Sequence, residues 1–333
     1  MSCVIKSADP SATLRAGGGR RTALTKTADG RRRSAVILLF FCTALAVQAQ
    51  GNGLVFLTLD PDPAGQAAGG AYSAAGSGPF SPLFNPAGLA SGSRNGIALT
   101  FQDWIGDART LGIAGRFGLG EKAGAGLYVL STSSGDLEAR DRPGPAEGTF
   151  EVQYFAVGAG IARQFGPVQV GVAGKVLSER VFDSSASGYA FDAGVQVEAM
   201  DGFRIGAAVQ HLGKMNELET AATPLPTTFR GGVSLRPFRL MAATESTALL
   251  STAFHAEVVY RLEQNDPTQI RIGGEATLFD MLTLRGGYVF GDPVRRVSAG
   301  AGLAVGAFRV DYAMLPLDTG FGTGQLISLG YNW

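Results

Sequence analysis

From about residue 95 to its end, the sequence repeats one pattern, in which apolar and polar side chains alternate along a run of residues that closes with a turn. In residues 189–200, one face carries Tyr189, Phe191, Ala193, Val195 and Val197. An alternation of period two places successive side chains on opposite faces of a β-strand. Fourteen runs occur, near residues 95–104, 108–119, 122–133, 149–165, 167–180, 187–200, 202–213, 226–239, 250–263, 267–279, 281–291, 294–306, 307–316 and 324–333.

An even number of alternating runs of about ten residues is the signature of a transmembrane β-barrel. We therefore predict an all-β fold, an antiparallel transmembrane barrel of about 14 strands over residues 94–333. A soluble β-sandwich or propeller is the rival architecture. Its strands would be nearer to 5–6 residues and its outward face would be polar, whereas these runs are longer and have continuous apolar faces.

The connections between runs differ in length on the two sides. Those after even-numbered runs are short, as in "FGPV", "MDG" and "VGA", whereas several after odd-numbered runs are longer and more polar. Bacterial outer-membrane barrels have tight periplasmic turns and longer external loops. The pattern predicts periplasmic termini, with residues 238–249 as one long connection on the short side.

The N-terminal 49 residues have the organisation of a secretory signal peptide after a preamble. Arg31, Arg32 and Arg33 precede an apolar stretch at 35–47, and small or branched residues lead up to a predicted cleavage after Ala49. A membrane-spanning helix is the alternative, but it needs about 20 apolar residues. We expect an exported protein of the bacterial outer membrane.

Cleavage at this position changes the charge and removes both cysteines. The remaining chain has 20 basic and 26 acidic residues and a net charge of −6, which disfavours a nucleic-acid partner. Because Cys3 and Cys42 lie in the removed part, no disulfide, thiolate metal site or cysteine nucleophile is expected.

Residues 50–93 lie between the signal peptide and the first run and are rich in small residues. Such a segment has too little bulk for a core of its own, so we predict a hatch, or plug, at the barrel mouth. Its candidate motif is Asn85, Pro86, Ala87 and Gly88. Proline suits the first turn of a helix, and Gly88 permits close packing.

If the apolar faces meet lipid, the opposite faces line the lumen. The charged residues predicted there are Lys175, Asp192, Glu198, Arg204, Arg230, Glu257, Arg261, Arg271, Glu275, Arg285, Arg309 and Asp311. A channel selective for one sign of ion would carry a ring of that sign. The mixed signs instead indicate ion pairs that connect neighbouring strands of the wall or hold a plug. The alternative is that these residues only make the lumen polar and have no role towards a substrate.

The chain ends inside the last alternating run, on Tyr331 and Trp333. Aromatic rings are favoured at the membrane interface, which explains an aromatic end without a polar tail. A terminal aromatic on an alternating strand also resembles the signal that the barrel-assembly machinery of the outer membrane reads.

Several stretches resemble known families. "NPAGLA" before the first run resembles the hatch motif of the FadL-like superfamily of fourteen-stranded outer-membrane barrels. "FLTLDPDPAGQAAGGAYSA" is similar to the opening of the PorV/PorQ family, although it lacks an expected Arg and Met. Further stretches occur in the same order as in that family. They are "FQDWIGD" and, later, an Asp-containing strand, "HLG", "LP" and an Arg-Gly strand.

The PorV/PorQ resemblance implies a non-enzymatic part in type IX secretion, in which the barrel binds secreted cargo proteins and passes them on for surface attachment. The expected partners are outer-membrane lipid, the assembly machinery, and cargo or secretion-system subunits. Residues 131–149 and 213–226 are the candidate contact loops. The alternative is a FadL-like channel for fatty acids or other hydrophobic solutes, which predicts an apolar pocket beneath the hatch and a break in the wall.

Enzymatic motifs are missing from the sequence. It contains no Gly-x-Ser-x-Gly elbow, His-Glu-x-x-His or phosphate loop, and no cofactor or metal is expected. Beyond residue 49 the histidines are His211, expected to be solvated at a strand end, and His255, on the lumen face near Glu257. A Ser–His–acid site that uses His255 is the one enzymatic alternative left open. "DLEARD" (136–141) is more typical of a solvated loop than of a calcium site.

Overall fold

A computed structural model describes residues 54–92, 94–135, 137–139, 148–241, 248–262, 267–320 and 322–333. The predicted signal peptide and half of the "DLEARD" stretch lie outside the described residues. The strands that build the barrel are β1 (Gly96–Asp103), β2 (Arg109–Gly118), β3 (Ala123–Ser133), β4 (Val152–Phe165), β5 (Val168–Val181), β6 (Ser184–Met200), β7 (Phe203–Met215), β8 (Thr228–Met241), β9 (Ala248–Arg261), β10 (Gln269–Leu278), β11 (Leu282–Phe290), β12 (Val297–Val305), β13 (Phe308–Pro316) and β14 (Thr323–Asn332).

These fourteen strands form a closed barrel in which each strand pairs with its neighbours in the sequence. The first and last strands close it antiparallel, with Ile97 opposite Tyr331 and Asp103 opposite Gln325. The predicted fold is confirmed, and each predicted run overlaps one strand. Closure satisfies the backbone groups that an open sheet edge would leave unpaired in lipid.

The outer surface of the barrel is apolar. Side chains that a soluble protein would bury point outward, among them Leu111, Ile161, Val176, Leu284 and Leu329. Polar and charged residues occupy the inner positions of the same strands, as the pattern of buried and exposed residues along β5 shows. Such an inside-out distribution is stable when the outer face meets lipid rather than water.

We call the end that holds both barrel termini and the connections after even-numbered strands the turn end, and the opposite end the loop end. One predicted connection differs from the structure. Residues 238–241 and 248–249 belong to β8 and β9, so the long connection expected at 238–249 shrinks to 242–247, which lies outside the described residues. The alternation weakens there because the β8–β9 pairing changes register twice.

Two loop-end connections contain small hairpins. Leu137–Ala139 pairs with Gly148–Phe150, and Glu217–Leu218 pairs with Ala221–Ala222. They fall in the candidate contact loops 131–149 and 213–226, with Phe150 one residue beyond the first loop. Within the described residues, the paired backbone gives each loop a short segment of regular structure.

Residues 54–92, which we call the hatch, lie inside the barrel. They form a short helix, α1 (Pro63–Ala67), and 3₁₀ turns at Val55–Thr58, Ser81–Leu83 and Pro86–Ala90. Helix α1 packs against β11–β14, and Pro86–Ala90 packs against β3–β6 on the other side. The hatch therefore crosses the lumen. None of the described helices is long and apolar enough to cross a membrane.

Candidate functional site

The hatch motif is fixed by the side chain of Asn85, which is fully buried. Its Oδ1 accepts from the backbone N–H of Ala87 and caps the turn Pro86–Ala90. Its Nδ2 donates towards the carbonyl oxygens of Ser73, at 2.9 Å, and of Val195 on β6, at 3.0 Å. One amide thus joins two parts of the hatch to the wall, with Pro86 and Ala87 continuing the turn that it starts.

Glycines on the inner wall let the hatch backbone lie against the strands. At each of them an added Cβ would overlap a hatch atom: Gly124, Gly126, Gly171, Gly194, Gly206, Gly232, Gly273, Gly287 and Gly300. Gly88 plays the same role inside the hatch, because a Cβ there would meet the carbonyl oxygen of Gly76. Since the close approaches come from most sides of the barrel, the hatch has little room to shift as a rigid unit.

A buried ionic cluster around Arg230 of β8 holds the centre of the hatch. Its Nε donates to Glu257 of β9 at 2.8 Å, and its Nη1 donates to Asp60 of the hatch at 3.0 Å. Glu257 also accepts from the backbone N–H of Ser73 at 2.7 Å. Wall and hatch therefore satisfy each other's charges in a place without bulk water.

A second buried cluster lies towards the loop end. The Nζ of Lys175 lies 2.8 Å from a carboxylate oxygen of Asp192 and 2.8 Å from Nδ1 of His211. His211 was expected to be solvated, but it is buried. The reason is a bulge between β6 and β7, where His211 has φ +62° and the register shifts, so that Gln210 and His211 both turn inward.

A third cluster faces the turn end. Arg285 bridges Glu275 and Asp311, and Asp311 also accepts from Arg309. The hatch joins it through Tyr72, whose hydroxyl donates to Glu275 at 2.5 Å.

The predicted lumen charges are thus brought together in groups rather than in a ring. Arg271 donates to the carbonyl oxygen of Gly70 beside the Arg230 cluster. Glu198 and Arg204 form a separate pair at the turn-end mouth, at 3.3 Å, and Arg261 is half-buried near the loop end. Sequence alternation found these residues. It could not find their partners Asp60 and Tyr72, which lie on the hatch, outside any periodic run.

The loop-end half of the lumen contains an apolar chamber, which the hatch fills and which Lys175 and His211 also border. Leu54, Phe56 and Leu57 of the hatch enter it, and Phe56 stacks on Tyr154 of β4. Its walls are Tyr128, Leu130, Ala156, Leu177, Ala186, Ala190, Met215 and Leu225. The space left beside Phe56 and Tyr128 is about 20 Å³, room for one water molecule. The chamber would hold an apolar molecule if the segment from Leu54 to Leu57 moved out.

The turn-end half contains an open, polar cavity of about 730 Å³. Its lining includes Asp62, Tyr72, Arg204, Glu275 and Arg309. A solute channel predicted an apolar pocket beneath the hatch. The structure instead has a polar cavity on that side and the apolar chamber on the loop side, because the apolar residues that precede α1 lie at the loop end of the lumen.

The hatch acid Asp62 caps α1 beside this cavity. Its carboxylate accepts from the backbone N–H groups of Ala64, at 3.2 Å, and Gly65, at 3.4 Å. Burial, and after it the nearby carboxylate of Asp311, raise the pKa of Asp62 to about 6. The hatch therefore contains a group that titrates in the pH range near neutrality.

The described part of the wall shows no gap through which a solute could leave sideways. Each pair of neighbouring strands forms an antiparallel ladder, interrupted by register shifts in the β6–β7 and β8–β9 pairs. The wall break predicted for a solute channel is therefore absent from the described residues. A path for solutes would run along the lumen, past the hatch.

Two further predictions concern the C-terminal aromatic residues and metal binding. Tyr331 and Trp333 both lie on the outer surface at the turn end, with their rings stacked 5.8 Å apart. Within the described ranges, no group of three or more His, Asp or Glu side chains is arranged to hold a metal ion.

The sequence matches no protein-family model and no curated protein. The structure is similar to the toluene transporter TbuX of Ralstonia pickettii, with a TM-score of 0.54 and 16% identity over 81% of this chain and 96% of that one. It is similar to the monoaromatic hydrocarbon channel CymD, with a TM-score of 0.56 and 12% identity over 82% of this chain and 97% of that one. It is also similar to the toluene transporter TodX of Pseudomonas putida, with a TM-score of 0.51 and 13% identity over 80% of this chain and 96% of that one. The chain shares the overall fold of these proteins, in this case a closed barrel of fourteen strands.

Proposed function

We propose that this protein is an outer-membrane channel for hydrophobic solutes, such as fatty acids or aromatic hydrocarbons, and that the hatch is its plug. The observation that carries the proposal is the apolar chamber at the loop end, filled by Leu54, Phe56 and Leu57. A solute that displaced this short segment would exchange one apolar surface for another, so filling the chamber would bury the solute at little cost to the wall.

The location follows from the surface of the barrel. Its outward face is apolar along the strands, and closed barrels of this kind with short turns on one side belong to bacterial outer membranes. With the turn end in the periplasm, the chamber faces the cell exterior. The solved structures that share the fold are described as toluene transporters and a monoaromatic hydrocarbon channel, which supports the same class of solute.

The two halves of the lumen have different roles in the proposed function. The loop-end chamber favours apolar molecules through the hydrocarbon and aromatic side chains of its walls, although Lys175 and His211 border it. The polar clusters around Arg230 and Glu275 hold the rest of the hatch in place. We expect passage to require movement of the hatch, since the described hatch backbone lies directly against the wall glycines.

Binding is the first test. The purified protein in detergent would be titrated with toluene and with a fatty acid, and heat of binding measured by calorimetry. We expect saturable binding of one molecule and a negative heat-capacity change, because apolar surface is buried. Absence of saturable binding by either solute, in a protein that migrates as a folded barrel, would contradict the proposal.

A second candidate function is the secretion role that the resemblance to the PorV/PorQ family implies. The hairpins in residues 131–149 and 213–226 favour it, because a folded loop can present a fixed contact surface. Purification through a tag in a loop-end connection distinguishes the two functions. Secreted cargo proteins or a translocon would co-purify in the one case, and bound lipid or fatty acid alone in the other.

A further inference from the structure

Three side chains on adjacent strands meet at the wall of the turn-end cavity: Ser234 on β8, His255 on β9 and Glu275 on β10. Ser234 lies directly opposite His255 in the β8–β9 register. Oγ of Ser234 is 3.0 Å from Nδ1 of His255, and Nε2 of His255 is 3.1 Å from Oε1 of Glu275. The arrangement is a serine, a base and an acid in hydrogen-bonded order.

The surroundings of Glu275 determine which imidazole nitrogen carries the proton. Glu275 also accepts from the hydroxyl of Tyr72 and from Nε of Arg285, so it is held as an ionised acceptor. Nε2 of a neutral His255 must then donate to it, which leaves Nδ1 without a hydrogen. Nδ1 can therefore only accept, and it accepts the proton of the Ser234 hydroxyl.

An electrophile-stabilising group stands on the other side of the serine. In the β7–β8 register Arg204 lies directly opposite Ser234, so their side chains share the lumen face, and both line the cavity. The row Arg204, Ser234, His255 thus runs across three neighbouring strands. The guanidinium of Arg204 pairs with Glu198 at 3.3 Å, and it would stabilise negative charge on a carbonyl oxygen attacked at Ser234 after turning from that carboxylate.

We propose that Ser234 is the nucleophile of an esterase site in the turn-end cavity, a function separate from solute passage. Oγ of Ser234 attacks the ester carbonyl carbon and passes its proton to Nδ1 of His255. The tetrahedral oxyanion collapses, and the leaving alcohol takes that proton. Water then attacks the acyl-serine through the same base, which yields a carboxylic acid and restores Ser234.

The cavity defines the class of substrate. Ser234 and His255 are 3% and 4% exposed, so only a slender acyl group reaches them, and the lining around them is polar and charged. Short-chain carboxylic esters fit this space better than long acyl chains. Glu275 is a positioning residue, since it acts on the reaction through the orientation of His255.

The test uses the folded full-length barrel in detergent and a fluorophosphonate probe, with the modified residue located by peptide mass spectrometry. We expect Ser234 to be labelled, and Ser251→Ala, which removes another serine of the same cavity, to leave the rate unchanged. Ser234→Ala should abolish labelling, and His255→Gln should slow it about 100-fold, the usual contribution of a general base. Folding of each variant is checked by the shift of the heated band in gel electrophoresis.

A second measurement separates a reactive site from a structural network. The charged or titratable neighbours of His255 are Tyr72 of the hatch, Glu275 of β10 and, through Glu275, Arg285 of β11. With Glu275→Gln, labelling of Ser234 should slow, because the imidazole loses the carboxylate that orients it, and Glu275→Asp should restore part of the rate. An unlabelled Ser234, equal rates at Ser234 and Ser251, or an unchanged labelling rate in Glu275→Gln would overturn the proposal. Solute binding at the loop end is measured independently of it.

Discussion

The rings of Phe56 and Tyr154 lie nearly parallel, with 4.7 Å between their centroids and 12° between their planes. Phe56 belongs to the hatch and Tyr154 to the barrel wall. The protein itself thus supplies an apolar ring at the position where the proposed function places a solute. The closed state is a self-occupied state, and a solute has to compete with Phe56 for the chamber.

This competition predicts that Phe56→Ala strengthens solute binding. An aromatic pair of this kind contributes about 0.5–1.5 kcal/mol beyond buried area, so losing it should lower the Kd for toluene up to about tenfold. Calorimetric titration measures it. Phe254→Ala, which removes an outward ring on β9, is the matched control and should leave the Kd unchanged. A weaker or equal affinity in Phe56→Ala would speak against self-occupancy.

Two adjacent glycines on β8 provide a matched pair for the fit of the hatch. A Cβ at Gly232 would lie 2.8 Å from Oγ of Ser73 in the hatch and 2.8 Å from the backbone oxygen of Ala256 on the neighbouring strand, whereas a Cβ at Gly231 points into open space. Gly232→Val should push the hatch from the wall, at a cost of about 1–3 kcal/mol, and raise ion conductance in planar bilayers. Gly231→Val should behave as wild type. Equal conductance in both would show that the hatch does not depend on this contact.

Removing Arg230 should loosen the hatch strongly. Arg230→Met leaves Asp60 and Glu257 buried without their guanidinium, which costs about 3–5 kcal/mol for a broken buried pair. The temperature at which the barrel loses its compact gel mobility should fall clearly. Arg109→Met breaks an exposed pair with Asp103 and should change it little. A similar small change in both variants would mean that the cluster does not hold the hatch.

Asp62 predicts a pH dependence of stability. Its pKa in the folded protein, about 6, lies above the ordinary value of 3.8, so the folded state binds the proton more tightly. The stabilisation is complete below about pH 4 and is lost as pH rises through 6. The difference in melting temperature between Asp62→Asn and wild type should therefore grow in favour of the variant from pH 4 to 7. A constant difference across that range would refute the assignment.

The sequence predicts all fourteen strands because outward and inward positions alternate without a break through most of them. His211 shows where this reasoning fails. Alternation from Val209 places it on the outer face, but a residue in left-handed conformation inserts a bulge and turns it inward. Such a bulge has no periodic signal, and nothing about a histidine marks it in advance.

The site depends on register and on the hatch, and neither can be read from alternation. Ser234, His255 and Glu275 each look like an ordinary lumen residue, and only the pairing of β8, β9 and β10 brings them into contact. Asn85 was predicted as part of the hatch motif, but its hydrogen bonds to Val195 and Ala207 join segments more than a hundred residues apart.

The most direct test of the proposed solute path uses a disulfide that reversibly fixes the segment from Leu54 to Leu57, which fills the chamber. The backbone N–H of Leu54 donates to the carbonyl oxygen of Pro224 at 3.3 Å, so the two residues are neighbours at the loop end and are chosen as the positions for an engineered disulfide. The double variant Leu54→Cys with Pro224→Cys would be reconstituted into lipid vesicles, and entry of toluene followed with and without reductant.

We expect toluene to enter vesicles with the oxidised protein no faster than it enters vesicles without protein. Reduction of the disulfide should restore the wild-type rate of entry. The same protein thus serves as its own control. Equal entry rates before and after reduction, with the disulfide confirmed by mass spectrometry, would contradict the claim that solutes pass by displacing this segment.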